Sequence, residues 1–355
     1  MTYLPDTIET PCVVVDLAVA EKNILRAQAH FDKHGIKTRP HIKTHKLPLL
    51  AHKQIEAGAI GVTCQKLGEA EVMAAAGIED ILVTYNIMGA GKFSRLLTLA
   101  DQCRISVVAD SDATVKGLSD CFADSGKTLN VLVECDTGQK RCGVQSPEAA
   151  LDLARVIDAA PGLAFAGLMT YPGKKDHENV DGFLQRTSQL CRGSGLEVAH
   201  VSNGGTPDML NAQAVTSATE HRSGTYIYND RSLVESGDCG WDDCALQVAV
   251  TVVSRPTEDR AIIDAGSKAL TSDTMGLDGF GYVTGYPTAI VRELHEEHGI
   301  LDLSSVSGLR PLIGDILHII PNHACPVSNL YDRIFLKKPD LTIEPVQVAA
   351  RGQVW

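Results

Sequence analysis

Residues 38–57 read TRPHIKTHKLPLLAHKQIEA. This pattern predicts a strand over residues 38–42 and a helix over residues 48–57, with Lys43 directly after the strand. The same unit recurs along the first two thirds of the chain, with predicted strands at residues 12–15, 61–65, 81–85, 106–109, 129–135, 165–169, 198–202 and 220–228. A strand followed by a helix, repeated about eight times, is typical of a parallel sheet closed into a (β/α)8 barrel.

Polar or glycine-rich positions follow nearly every predicted strand. They are Lys43, Gln65, Asn86, Asp110, Asp136, Tyr171, the turn at residues 202–205 and Thr225. In a β/α barrel such positions meet at the C-terminal face, where ligands bind. An open doubly wound sheet, the alternative, would bring only some of them to one crevice. The sequence therefore predicts an α/β protein with a TIM-like barrel and a ligand site at its mouth.

The pattern changes after residue 235. Strand-like runs separated by turns follow one another with little helical periodicity, at residues 247–253, 260–264, 289–294, 316–320, 333–336 and 346–350. This arrangement predicts a mostly antiparallel β domain. We therefore expect a barrel over residues 12–235 and a C-terminal β domain over residues 236–355, to which residues 1–11 also belong.

The composition excludes several classes of protein. The chain of 355 residues is 44% apolar and 21% charged, which is typical of a globular protein. Its net charge of −12 argues against a nucleic-acid surface, because phosphate backbones require clustered lysine and arginine. No apolar run is long enough for a membrane span, and the N-terminus lacks the pattern of a signal peptide. We therefore expect a cytoplasmic protein whose ten cysteines are mostly reduced.

Residues 39–46 concentrate two histidines and three cationic side chains at the end of a predicted strand. A lysine at a barrel mouth is partly desolvated and has cationic neighbours, and both effects lower its pKa and make it an imine-forming nucleophile. Lys43 is therefore the candidate catalytic residue. A solvated basic loop is the alternative interpretation.

Two glycine-containing turns follow consecutive predicted strands. The first, at residues 202–206, reads Ser-Asn-Gly-Gly-Thr, and the second contains Gly224 and Thr225. Backbone amides exposed by glycines after a strand can bind phosphate, and barrels often build such a site from their last loops. Arg141 is a further candidate for binding an anion or a cofactor ring oxygen. Plain turns and a surface charge at a helix start are the alternatives.

The segment at residues 321–326 reads PNHACP. On an extended backbone, His323 and Cys325 would point the same way, and both side chains are good ligands for Zn²⁺. Two protein ligands leave an open site that water and substrate complete, as in catalytic metal centres. A buried histidine beside a buried cysteine is the alternative.

Together these segments resemble one family. Residues 39–46, Cys64-Gln65-Lys66, Arg141-Cys142-Gly143, Gly204-Gly205-Thr206 and the late His-Ala-Cys are similar to those of the D-threonine aldolase and D-serine dehydratase family. That family has the alanine-racemase-like fold of pyridoxal-phosphate proteins. The resemblance extends from about residue 9 to residues 349–352. It implies a barrel, a β domain that delivers a metal to the barrel mouth, and a homodimer.

The resemblance also implies roles for individual residues. Lys43 would form the imine with pyridoxal 5′-phosphate. The residues around the cofactor ring would be Gln65, Arg141 and Tyr171. The phosphate would be held by Ser202, Gly204, Gly224 and Thr225. A divalent metal, Zn²⁺ or Mn²⁺ with Mg²⁺ as a further alternative, would be bound by His323 and Cys325.

The substrate implied by this resemblance is a 3-hydroxy-D-amino acid. The expected reaction is retro-aldol cleavage to glycine and an aldehyde, and the alternative is elimination to a 2-oxo acid and ammonia. Aldolases of the family tend to carry His-x-Asp at the metal, whereas His323 and Cys325 form the His-x-Cys of the dehydratase branch. Tyr171-Pro172-Gly173 also lacks a histidine that aldolases carry beside the tyrosine. The body of the chain nevertheless resembles the aldolases more closely.

Two other kinds of protein share the barrel and the lysine. An amino-acid racemase needs no metal, so His323 and Cys325 would then be incidental. A non-catalytic pyridoxal-phosphate-binding protein is usually a single barrel, whereas about 120 residues follow the predicted barrel in this chain.

Overall fold

The computed structural model describes residues 5, 7–173 and 175–355. The strands are β1 Cys12–Asp16, β2 Lys37–Thr38, β3 Val62–Cys64, β4 Asp80–Val83, β5 Arg104–Ala109, β6 Leu129–Cys135, β7 Leu163–Thr170, β8 His200–Asn203, β9 Glu220–His221, β10 Leu246–Thr257, β11 Arg260–Ile263, β12 Tyr282–Val283, β13 Ile290–Leu294, β14 Gly299–Asp302, β15 Ile316–Ile320, β16 Arg333–Lys337 and β17 Ile343–Gln347. The α-helices are α1 Leu17–Lys33, α2 Pro48–Glu56, α3 Leu67–Ala75, α4 Ala90–Leu99, α5 Asp112–Phe122, α6 Pro147–Ala159, α7 His177–Gly193, α8 Arg231–Glu235, α9 Ser267–Leu270 and α10 Ala324–Leu330.

The chain forms two compact units. The barrel unit contains Leu25–Lys43, Pro48–Gly224 and Gln353–Trp355. The β unit contains Met1–Ile24, Thr44–Leu47 and Thr225–Gly352. The main division therefore falls between residues 224 and 225, whereas the change of pattern in the sequence placed it at residue 235.

The barrel unit is built on a parallel sheet of eight strands, in the order β2-β9-β8-β7-β6-β5-β4-β3. Its two outer strands also meet, because Ile60 N donates to Thr38 O over 2.9 Å and Thr63 N donates to Pro40 O over 2.8 Å. The sheet is therefore closed, and the predicted barrel is confirmed. Polar positions at the carboxyl ends of these strands share one face of the unit.

Helix α6 illustrates how the sequence forms the outer layer of the barrel unit. Ser146 caps the helix, since its hydroxyl accepts from Ala149 N over 3.1 Å, and Pro147 occupies the first turn. The buried face consists of Ala150, Leu151, Leu153, Ala154 and Ile157. Each large side chain among them contributes about 1.5–3 kcal/mol through burial.

The β unit contains a sheet of nine strands around the long strand β10. β10 pairs in antiparallel fashion with β1, β11 and β15. One pair in this sheet, β1 with β16, is parallel. The prediction of a mostly antiparallel domain is therefore confirmed.

The placement of β1 in the barrel was wrong. The sequence pattern made it the first barrel strand, but it pairs with β10 and β16 in the β unit. Cys12, Val13, Val14 and Val15 are each at most 4% exposed, so the strand is buried on both faces. A strand buried on both faces has the same apolar pattern in a parallel barrel as in the centre of another sheet, and the pattern alone does not distinguish them.

The segment around the predicted metal ligands is not an extended strand. His323 is the N-cap residue of α10, with extended backbone angles of φ −140° and ψ 109°, and Cys325 lies in the first turn of that helix. Within the described parts of the chain, none of the helices has the length and apolarity needed to cross a membrane.

Candidate active site

Lys43 lies in the short 3₁₀ turn Ile42–Thr44 after β2 and is half-buried. Its backbone N donates to His41 Nδ1 over 3.3 Å, which leaves the proton of that imidazole on Nε2. His41 Nε2 lies 3.1 Å from Gln65 Oε1, and Gln65 Nε2 donates to Thr84 O over 2.9 Å. This chain of hydrogen bonds links the turn that contains Lys43 to Gln65, the predicted ring neighbour, which directly follows β3.

The other cations near Lys43 in the sequence have separate roles. Arg39 Nε lies 3.1 Å from Glu220 Oε2, and Arg39 also pairs with Asp80. Burial lowers the pKa of Arg39, but Glu220 and Asp80 outweigh that effect and raise it above its ordinary value. Lys46 Nζ is 3.4 Å from Ala350 O. Arg39 therefore belongs to a balanced ionic network of the barrel.

Arg141 and Tyr171 lie together, as expected for two residues beside one cofactor ring. The guanidinium carbon of Arg141 is 5.1 Å from the centroid of the Tyr171 ring, a cation–π distance. Burial and Asp110 raise the pKa of the Glu134 carboxyl, while Arg141 and Arg222 act in the opposite direction. Arg141 is therefore positioned between an aromatic face and a buried carboxyl group.

Ser202 is fully buried at the end of β8 and is held by a residue that the sequence did not single out for this purpose. Arg222 Nε donates to Ser202 Oγ over 2.8 Å, and another nitrogen of its guanidinium donates to Thr170 O. Burial lowers the pKa of Arg222 to about 10, although Glu220 and Glu134 oppose that shift. Because Ser202 Oγ accepts from Arg222, its own hydroxyl proton remains available to a ligand.

The glycine pair after β8 packs so closely against two rings that a side chain at either position would not fit. Gly204 has φ +97°, and a Cβ there would lie 2.0 Å from His221 Nε2. A Cβ at Gly205 would lie 2.7 Å from Tyr171 Cε2. The backbone therefore approaches two rings in a way that only glycine permits. Gly224, in the second predicted phosphate loop, donates its N–H to Thr206 Oγ1 over 3.1 Å.

A cavity of about 60 Å³ lies beside this glycine pair. It is lined by Gln139, Tyr171, Pro172, Gly173, Lys175, His177, Asn203, Gly204, Gly205, Pro207, Asp208, Ala212 and His221. Asn203 Oδ1 is buried and, within the described part of the chain, has no hydrogen-bond partner. The cavity can therefore accept a ligand that donates a hydrogen bond.

His177 is the functional candidate that the sequence reasoning missed. It begins α7, lines the same cavity as Tyr171, and its Nε2 lies 2.6 Å from Asp208 Oδ2. The tyrosine therefore shares its cavity with a histidine, although no histidine lies directly beside it in Tyr171-Pro172-Gly173. His177 lies six positions after Tyr171 in the sequence, so the search for a histidine directly beside the tyrosine did not find it.

In the β unit, His323 and Cys325 converge even though their backbone is not a strand. The Cys325 sulfur is within hydrogen-bonding reach of the His323 imidazole. His323 Nδ1 lies 2.6 Å from Asp273 Oδ2. Burial lowers the pKa of His323, but Cys325, Asp273 and Asp230 outweigh burial and raise it to about 9. An imidazole and a thiol brought together in this way are a donor pair that suits Zn²⁺.

Two hydroxyl groups approach the Cys325 sulfur. Thr44 Oγ1 is 3.1 Å from Sγ, and Thr225 Oγ1 is 3.5 Å from it. Thr44 directly follows Lys43 in the chain. The hydroxyl group of Thr225, a predicted phosphate ligand, thus lies beside Cys325.

A second group of metal-binding atoms occurs in the barrel unit. Ligand atoms of Asp110, Glu134 and Cys142 lie within 4.8 Å of one another. Both carboxylates already accept hydrogen bonds, Asp110 from Gly143 N over 3.1 Å and Glu134 from Asn86 Nδ2 over 3.0 Å. We therefore do not assign a metal to this group.

The barrel unit thus contains a half-buried lysine in the turn that follows β2, a tightly packed glycine turn after β8 and a polar cavity. A cofactor with a phosphate and an aldehyde group fits this set, since glycine amides suit the phosphate and an amine suits the aldehyde. The features define the class of alanine-racemase-like barrel proteins. Consistent with this, a family model described as "Alanine racemase, N-terminal domain" matches residues 15–232, and a "Putative serine dehydratase domain" matches residues 245–336.

Comparison with individual proteins identifies the family within this class. The chain is 34% identical to a D-threonine aldolase of Arthrobacter sp, covering 97% of this chain and 93% of that protein. It is 31% identical to a D-threo-3-hydroxyaspartate dehydratase of Delftia sp. (strain HT23), covering 90% and 91%. The crystal structure of a D-threonine aldolase from Filomicrobium marinum superimposes with a TM-score of 0.88 at 31% identity, covering 98% and 97%. The chain belongs to the D-threonine aldolase and D-serine dehydratase family of pyridoxal-phosphate-dependent lyases, and the resemblance inferred from the sequence is confirmed.

Proposed function

We propose that this enzyme cleaves 3-hydroxy-D-amino acids to glycine and an aldehyde, using pyridoxal 5′-phosphate and a divalent metal. Similarity over nearly the full length to a D-threonine aldolase supports this reaction. The structural observation that carries it is the imidazole of His177 beside Asp208, in the cavity that Tyr171 and the glycine turn also line. Aldol cleavage requires a base for a hydroxyl proton, and this pair has the form of an oriented base.

In this proposal the cofactor is held by residues of the barrel mouth. Lys43 would bind its aldehyde carbon, and the residues proposed to surround its ring are Gln65, Arg141 and Tyr171. Its phosphate would be held by Ser202, Gly204, Gly224 and Thr225. When bound, the cofactor supplies an acceptor for the electron pair that the substrate's Cα–Cβ bond releases.

His177 is proposed to accept the proton of the substrate's β-hydroxyl group. Its Nε2 lies 2.6 Å from Asp208 Oδ2. A proton kept on Nε2 by this carboxylate would leave Nδ1 with the electron pair that can accept a proton. The Asp208 carboxylate would stabilise the imidazolium that forms, as the third member of a catalytic triad does. Loss of the hydroxyl proton allows the C–O bond to become a carbonyl while Cα–Cβ breaks, and a proton returned to Cα completes glycine.

The metal would be held by His323 and Cys325, with water and substrate completing its coordination. A divalent cation supplies Lewis acidity to the β-oxygen. The thiol donor favours Zn²⁺ over Mn²⁺ and Mg²⁺, since the latter two prefer oxygen ligands.

A dehydratase is the second candidate, and Cys325 is the observation that favours it. The His-x-Cys pair is the arrangement we associate with the dehydratase branch, and the Delftia relative is a D-threo-3-hydroxyaspartate dehydratase. In that reaction the proton leaves Cα and the β-hydroxyl departs as water. Water then hydrolyses the imine that this elimination leaves, which gives a 2-oxo acid and ammonia.

Product analysis separates the two reactions. The purified holoenzyme is incubated with D-threonine, D-serine or 3-hydroxy-D-aspartate, in parallel with Zn²⁺ and Mn²⁺. Glycine with acetaldehyde from D-threonine supports the proposal. 2-Oxobutanoate with ammonia from D-threonine contradicts it and supports the dehydratase. A racemised amino acid without cleavage would contradict both.

We also propose that the enzyme acts in the cytoplasm as a homodimer. No disulfide joins any of the ten cysteines, all of which lie in the described part of the chain, and this suits a reducing compartment. The dimer rests on analogy with the family, and sedimentation analysis of the holoenzyme measures it directly.

A further inference from the structure

His323 and Asp273 are separated by 50 positions in the chain and meet at 2.6 Å, between imidazole Nδ1 and carboxylate Oδ2. The carboxylate is itself fixed. Its other oxygen accepts from Met275 N over 3.1 Å, and the Asp273 amide donates to Thr271 Oγ1 over 3.3 Å. Thr271 and Met275 both have positive φ values, +64° and +52°, so this loop follows a specific backbone path. Asp273 therefore presents its carboxylate in a defined direction.

The contact determines which nitrogen of His323 is available. An imidazole that donates Nδ1–H to a carboxylate keeps that proton, so the nitrogen that can give up its proton and present an electron pair to a cation is Nε2. Cys325 lies within hydrogen-bonding reach of the same ring. A metal needs this combination, in which one ring nitrogen binds the cation and the other is anchored by a carboxylate.

We infer that Asp273 is the positioning residue of the metal site, orienting the His323 ring and increasing its strength as a ligand. This inference rests on the proposed function, because it assumes that His323 and Cys325 bind the metal. Asp273 would not bind the metal itself, since its Oδ2 contacts the imidazole and its Oδ1 accepts from the backbone.

A plain ion pair is the competing explanation. In that case Asp273 and His323 would stabilise the β unit whether or not metal is present, and removing the carboxylate would lower the melting temperature of the metal-free protein. A positioning role instead predicts an effect on metal affinity that exceeds any effect on the metal-free protein. The two explanations therefore differ in a measurable way.

The test is Zn²⁺ affinity measured by chelator competition on the cofactor-loaded, metal-free enzyme. Asp273→Asn keeps the size of the side chain and removes its charge, and we expect the Kd for Zn²⁺ to rise about 10- to 100-fold. Asp278→Asn is the matched control, because Asp278 is an exposed acid of the same unit that pairs with Arg292 at 2.9 Å and not with His323. Its Kd should stay at the wild-type value.

A second variant covers the case in which Asp273→Asn is unstable. Asp273→Glu keeps the charge and displaces the carboxylate, and it should also weaken Zn²⁺ binding. An unchanged Kd in both variants, while Cys325→Ala loses Zn²⁺, would overturn the role of Asp273 and leave the metal site intact. If the wild-type enzyme and Cys325→Ala bind Zn²⁺ equally, the proposed metal site is wrong and the inference fails with it.

Discussion

His177 Nε2 and Asp208 Oδ2 lie 2.6 Å apart in a cavity that also contains the glycine turn after β8. The side chains are 29% and 12% exposed, so the pair is partly shielded from solvent. Shielding from water strengthens the electrostatic interaction between the carboxylate and the imidazole. Tyr171 and Asn203 line the same cavity and place further polar groups beside this imidazole.

Replacement of His177 should therefore impair chemistry more than cofactor binding. We expect His177→Asn to lower kcat for D-threonine cleavage by about 10²–10⁴-fold, which is the usual contribution of a general base. Its cofactor absorbance should be retained. His295→Asn, at a histidine that is 56% exposed in the β unit, is the control and should be unaffected. Full activity of His177→Asn would exclude it as the base.

Lys43→Ala should abolish the visible absorbance band that a lysine-bound cofactor gives, because no other residue is proposed to bind the aldehyde. The spectrum is recorded after incubation with excess pyridoxal phosphate and gel filtration. Lys33→Ala, at an exposed lysine at the end of α1, should retain the band. A band that persists in Lys43→Ala would contradict the assignment of this lysine.

Cys325→Ala should reduce both metal content and turnover while the cofactor stays bound. Cys325→Asp makes a finer comparison, since replacing a thiolate by a carboxylate should shift the preferred activating metal from Zn²⁺ towards Mn²⁺. Metal content is measured by elemental analysis, and activity is compared with each metal in turn. If Cys325→Ala retains its metal and its activity, the sulfur is not a ligand.

Gly204→Ala should weaken cofactor binding because its new Cβ would meet the His221 ring at 2.0 Å. Either the turn or the ring must then move, and the proposed phosphate amides move with it. Gly195→Ala is the control, because Gly195 also has positive φ but a methyl group added there would meet no atom within 4 Å. That control should cost only about 1–2 kcal/mol of stability. The Kd for pyridoxal phosphate, measured by titration, should rise in Gly204→Ala alone.

His221 predicts part of the pH dependence of stability. Burial, with a smaller effect of Arg222, lowers the pKa of this imidazole to about 3. The unfolded chain, with a pKa of about 6.5, therefore binds the proton more readily, and the free energy of unfolding falls as the pH drops below that value. The free energy of unfolding stops falling for this reason once the pH reaches the pKa of His221 in the folded protein. Denaturant titrations between pH 7 and 5 should show a shallower slope for His221→Gln than for wild type, and an equal slope would contradict this account.

The sequence predicted much of the barrel because each strand–helix unit is encoded locally. Strand β6 was predicted with the same limits as observed, residues 129–135, since its apolar run is bounded by turn residues. Gln65, Arg141 and Ser202 could likewise be proposed, because each lies at or after the carboxyl end of a predicted strand, and these ends share one face of a parallel barrel. The position of a residue after a strand is enough for that prediction.

Strand pairing and side-chain contacts between distant segments could not be predicted from the sequence. The sequence by itself determined the repeated units, the glycine turn and the His-x-Cys pair, because these depend on neighbouring residues and backbone propensity. Only the tertiary structure decided that β1 pairs with β10 and β16, that Arg222 holds Ser202, and that Asp273 meets His323 across 50 positions. The residues of an apolar strand do not indicate which strand it will pair with. In the same way, the sequence around a carboxylate does not indicate which imidazole it will contact. Such choices depend on which segments the closed barrel and the β sheet bring within hydrogen-bonding distance.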